Sequence, residues 1–151
     1  MTMFRESQTT RIKKAGWLEA LAIALVAGMA LLQLYFALGA YLDPSAFSVS
    51  RGTPLLVDGD GDWVQIYASR TLFIVLILGL LLLRRDYALL AWAALFGAVM
   101  PVTDAILAAL DQAAFIYQLR HWATLVYLVV AFLVLRQAAK VGRRADMAIG
   151  S

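Results

Sequence analysis

The sequence predicts an all-α fold, an integral membrane bundle of four antiparallel helices. Three observations predict it. Of 151 residues, 63% are hydrophobic and only 15% are charged, whereas a soluble domain carries about a quarter charged residues. The apolar residues gather into four runs near the length of about 20 needed to cross a bilayer. Lys and Arg collect at the ends of those runs. Lipid offers no partner to an open backbone, so each run must be helical.

The first run covers residues 17–41 and follows Arg11, Lys13 and Lys14. Those charges and the ALGA string at its end resemble a signal peptide. The run is longer than the roughly 7–15 residues of a signal-peptide core, so it is expected to remain as a membrane helix. Residues 42–62 form one long outer loop, rich in Pro, Gly and Asp. Phe47 and the PLLV string predict that it folds back onto the mouth of the bundle. A loop of this length in a small domain is usually functional or disordered. Its DGDGD string alternates Asp58, Asp60 and Asp62 as a calcium loop does. Trp63 and Ser69 stand where that motif needs Gly and Glu. The string therefore reads as a polar turn in which Asp62 caps the second helix, and no metal site is expected.

The second run covers residues 63–83, with Trp63 as an interfacial anchor. It contains Arg70 within an otherwise apolar stretch. Arg84–Asp86 makes a tight turn into the third run, residues 87–110. There Pro101 removes a backbone donor and predicts a kink. Gly97 and Ala98 just before it would permit close helix contact. The fourth run covers about 119–135 and opens with Arg120 and His121. No internal repeat is visible. One domain is expected: a tail at 1–16, the helical region at 17–138 and a second tail at 139–151, both tails partly frayed.

Orientation follows from charge. Arg5, Arg11, Lys13 and Lys14, then Arg84 and Arg85, then Arg136, Lys140, Arg143 and Arg144 all fall on one side of a four-span chain. The opposite side holds Arg51 and Arg120. The positive-inside rule expects both termini in the cytoplasm and the protein in the inner (plasma) membrane.

Composition removes several functions. There is no cysteine, hence no disulfide or thiolate chemistry, and a single histidine excludes a multi-histidine metal site within one chain. The net charge of +3 does not indicate nucleic acid, because topology alone explains where the basic residues stand. No nucleophile motif, phosphate loop or redox centre is present, and no cofactor is expected.

The polar residues within the runs carry the functional lead. Arg70 lies roughly 10 Å below the outer end of its run, and Asp104 about 9 Å below the outer end of the next, at 1.5 Å per residue. Gln33 falls in the outer half of the first run, and His121 opens the fourth. Tyr67, Arg70 and Ile74 share one helix face; His121 and Thr124 share another. An arginine within hydrocarbon costs about 2.5–3.5 kcal/mol near the centre and less off-centre, which predicts an Arg70–Asp104 ion pair with His121 close by. Glu19, near the inner interface, reads as a flanking partner for Lys13 and Lys14.

Two readings follow. In the first, a small or lipid-like ligand binds between the helices near the outer face. Arg70 would hold an anionic or carbonyl group, Asp104 would orient Arg70 or accept a proton, and His121 would exchange one near neutral pH. Tyr67 and Gln33 would add hydrogen bonds. Whether such a site only binds or also catalyses by general acid–base chemistry stays open. In the second, the chain is a non-catalytic membrane subunit whose buried charges serve helix assembly or partner binding. The partners allowed are membrane lipid, a small-molecule ligand, a second copy of the chain or another membrane protein. A transporter fits less well, because four helices lack the paired broken repeats of carriers.

The string YASRTLFIVLILGLLLLRRDYALLAWAALFGAVMPVTDAILAAL, followed by HWATLVYLV, resembles a family of small four-span membrane proteins of bacteria and fungi known as a domain of unknown function. In that family an arginine opens span two, an Arg-rich turn follows, an aspartate lies late in span three and a histidine opens span four. Arg70, Arg84 with Arg85, Asp104 and His121 match those positions. The resemblance covers residue 42 to the end of the fourth span. The family arginine is followed by aspartate, whereas Thr71 follows Arg70. The resemblance implies the four-span fold and the polar trio, and brings no known activity.

Overall fold

A computed structural model describes the backbone of residues 2–57 and 59–149, and the side chains of 16–57 and 59–143. Among these residues there are six helices: α1 (Thr2–Leu42), α2 (Pro44–Arg51), α3 (Asp60–Leu83), α4 (Tyr87–Gly97), α5 (Val99–Leu110) and α6 (Phe115–Ile149). Four segments are long and apolar enough to cross a membrane: Gly16–Leu42, Asp60–Leu83, Tyr87–Leu110 and Phe115–Arg143. The third is α4 and α5 together. The predicted all-α bundle is thus the fold, and large apolar side chains such as Leu76, Phe73 and Leu133 stand exposed around it, as a bilayer solvent requires. Helices α1 and α6 extend into the two tails.

The core is built from small residues at helical spacing. Ala22, Val26 and Met29 of α1 meet Ala91 and Ala94 of α4 and Leu128, Ala131, Leu135 and Ala138 of α6. The alternating steps of three and four put each set on one face, and alanine lets the backbones approach closely. Helix α1 packs along α3, α4 and α5 pack on α6, and α1 joins the two pairs through α6. The tight turn at Arg84–Asp86 has Arg85 at φ 53 and Asp86 capping α4 by accepting from the Leu89 N–H at 3.0 Å. It is tied to α1, because Arg85 Nη1 (2.8 Å) and the Tyr87 hydroxyl (3.0 Å) both donate to Glu19. Glu19 is therefore bonded to this turn; the side chains of Lys13 and Lys14 lie outside the described residues.

The expected kink is a one-residue interruption, with Ala98 itself still helical in its dihedrals (φ −62, ψ −19). Pro101 has no N–H to give to the Gly97 carbonyl, and the helix stops at Ala98 before α5 restarts. Beyond the interruption α5 follows α6 and hardly touches α3. Gly97 is not a close helix contact: a Cβ there would meet only the Met100 side chain, at 3.6 Å. The close approach is at Gly28, where a Cβ would stand 2.9 Å from the Tyr127 hydroxyl.

The long loop holds a helix that the sequence reading left out. Asp43 accepts from the Ala46 N–H at 2.9 Å and Pro44 occupies the first turn, so α2 starts there. Gly52, at φ 83, ends it, with its N–H and that of Thr53 returning to carbonyls of the last turn. Asp62 does not cap the next helix. Asp60 instead accepts from the Leu56 and Val57 N–H groups at 3.0 and 3.2 Å, closing the PLLV turn, and α3 begins at Asp60, three residues before the expected start. Asp58, the first aspartate of the DGDGD string, lies outside the described residues.

Candidate functional site

Helix α2 lies across one end of the bundle and brings Arg51 into it. Phe47 anchors the helix, edge-on to Phe36 of α1 and 5.5 Å from the ring of Tyr67 on α3. At the other end of α2, Gly52 packs so tightly on α6 that a Cβ would stand 2.9 Å from Ala113 Cβ and 3.1 Å from Tyr117 Cβ. The last carbonyls of α2 then meet donors from α6. Arg120 Nη1 donates to Ser50 O at 3.3 Å, and His121 Nε2 donates to Arg51 O at 3.2 Å. A cationic donor such as Arg120 suits the negative end of a helix dipole.

The predicted Arg70–Asp104 pair does not form. Asp104 Oδ2 accepts from the Arg51 guanidinium, which also lies 4.7 Å above the Phe36 ring. His121 Nδ1 is 3.6 Å from the same carboxylate oxygen, too far for a hydrogen bond but close enough to feel its charge. A carbonyl can only accept, so the neutral ring carries its proton on Nε2 and turns the bare Nδ1 towards Asp104. The trio is Arg51, Asp104 and His121, and His121 is 2% exposed.

Beside the trio is a cavity of about 430 Å³, within the usual size of a small-molecule site. Every span contributes a polar group to its wall: Gln33 from α1, Tyr67, Arg70 and Thr71 from α3, Asp104 from α5, and Thr124 and Tyr127 from α6, with Arg51 from α2 at its edge. Four of the five predicted residues, Gln33, Tyr67, Arg70 and Asp104, therefore line one cavity. The fifth, His121, stands behind Asp104 and does not line it. Ile74, one turn below Arg70 on the shared face, lines it too.

Arg70 is exposed and has no hydrogen-bond or ion-pair partner among the described residues. The threonines are spent on their own helices: Thr71 donates to Tyr67 O and Thr124 to Arg120 O. Sequence reasoning missed two residues of the wall. Arg51 was placed in a loop, although Asp-Pro before it and Gly after it mark a short helix. Tyr127, three residues beyond Thr124 on α6, lines the cavity and donates to the Leu25 carbonyl across the bundle, a contact that Gly28 makes possible. The described residues hold no group of three or more His, Cys, Asp or Glu able to bind a metal.

The fold and the cavity define a class: a multi-pass membrane protein of four spans with a largely apolar chamber at one end, into which each span sets a polar group. The chain belongs to the family described as a domain of unknown function (DUF4267), whose model matches residues 30–135. The match begins within the first span, earlier than the sequence resemblance at residue 42, and so includes Gln33. No curated protein and no solved structure matches the chain.

Proposed function

We propose that this protein binds a lipid-like amphiphile inside the membrane, in the cavity beside α2, near the outer face of the plasma membrane. The orientation rests on charge: Arg84, Arg85, Arg136, Lys140 and Arg143 lie at the end opposite α2, which the positive-inside rule assigns to the cytoplasm. The observation that carries the binding reading is Arg70, a cation without a partner at the wall of a largely apolar chamber. Such a group favours an anionic or carbonyl headgroup. Tyr67 and Gln33 stand on the same wall to bond it.

A second reading fits the other charges. Arg51, Asp104 and His121 bond or face one another, so their role is to fasten α2 over the chamber, as an assembly device. The chamber nevertheless exposes one edge of Asp104, with the His121 imidazole behind it. An acid–base step on a bound ligand is compatible with that arrangement.

The test is mass spectrometry of small molecules retained after gentle detergent extraction. Wild type is expected to retain an amphiphile that Arg70→Ala loses while eluting as the same folded species. Equal retention by both, or none by wild type above an unrelated membrane protein, would overturn the proposal.

A further inference from the structure

A second cavity of about 200 Å³ continues the first. The two share Ile74 and Met100, among other wall residues, and the second runs between Phe73 and Ile77 of α3 and Ala93 and Gly97 of α4. We infer that the ligand is a single-chain amphiphile with a carboxylate or similarly compact anionic head, entering sideways from the bilayer between α3 and α5. The inference rests on the binding reading above and adds the substrate class and route.

Three features converge on it. First, α5 packs on α6 and makes little contact with α3, so the chamber wall is thinnest between those two helices. Second, Arg70, Ile74 and Ile77 are four and three residues apart on α3, hence on one stripe. The backbone positions of Arg70 and Ile77 are about 10 Å apart along the helix. A head held at Arg70 thus delivers its tail to the second cavity. Third, that cavity is a slot opened by two small residues, Ala93 and Gly97, with less than half the volume of the first. It takes one hydrocarbon chain and not a pair. Asp104 does not compete for the head's partner, because Arg51 already occupies it. A planar carboxylate can accept two parallel bonds from a guanidinium.

The experiment measures equilibrium binding of radiolabelled palmitate, octanoate and hexadecanol to full-length protein in nanodiscs. Palmitate is expected to bind saturably and about tenfold or more tightly than hexadecanol, the scale of one charge-assisted contact. Arg70→Ala should remove that preference. Gly97→Leu, whose added Cβ meets only Met100 Cε at 3.6 Å, should fill the slot, weaken palmitate about tenfold and leave octanoate within about twofold. Unchanged helix content by circular dichroism shows that both variants fold. Equal affinity for acid and alcohol overturns the anionic head. Loss of both chain lengths alike in Gly97→Leu overturns the tail slot. A two-chain phospholipid retained through purification, which palmitate cannot displace, overturns the inference while the binding reading stands. No amphiphile bound or retained overturns both.

Discussion

Two arginines at the α2 end of the bundle meet opposite fates, and each predicts a different mutant. Arg51 is mostly buried, bonded to Asp104 and stacked on Phe36. Asp104→Ala leaves that guanidinium unpaired and is expected to lower stability by about 1.5–3 kcal/mol, the range for hydrogen bonds to charged groups. Arg70 has no such partner, so Arg70→Leu removes a charge from hydrocarbon and is expected to raise stability, by less than the ~2.5–3.5 kcal/mol of a midplane arginine. Reversible unfolding in detergent checks both, and the opposite signs distinguish the two roles. The sequence reading set His121 close to Asp104, as the structure has them, but paired the carboxylate with Arg70 instead of Arg51. Helical rise gives depth along an axis. It does not give the angle at which a neighbouring helix presents a side chain, nor the path of a loop that returns Arg51 across 53 positions of sequence.

At the scale of elements, the kink at Pro101 was legible because it follows from one missing donor. The sparse contact of α5 with α3 was not, because that depends on which neighbour α5 prefers. Pro101→Ala returns an N–H for the Gly97 carbonyl and is expected to straighten the third span, bringing α5 towards α3 and reducing amphiphile retention. The chain has no cysteine, so spin labels at Ile66→Cys and Ile106→Cys would report a shorter distance; an unchanged distance would count against Pro101 as the cause of the sparse contact. Helix α2 was missed for a different reason. Its punctuation, Asp43-Pro44 at the start and Gly52 at the end, is plain in the sequence. The surrounding glycines and aspartates made the whole stretch read as loop.

For the whole molecule, four spans were readable because hydropathy in a bilayer is a strong and simple constraint. Their arrangement was not, since lipid-facing and core-facing Leu and Ile look alike in sequence. The tight packing of α1 on α3 and of α4 on α6, with only light contact between α3 and α4 across their short turn, is set by where alanines fall. The threading makes one global prediction. An impermeant maleimide applied to intact cells should label Ser45→Cys and should reach Arg84→Cys only after permeabilisation; the reverse pattern would invert the orientation. The proposed entry between α3 and α5, where contact is sparse, also determines what the chamber encounters. A doorway that faces sideways samples molecules by how they partition, and each methylene favours the greasy phase by about 0.8 kcal/mol. A solute scarce in the surrounding water can therefore crowd this entrance, and occupancy would follow the composition of the leaflet more closely than that of the medium.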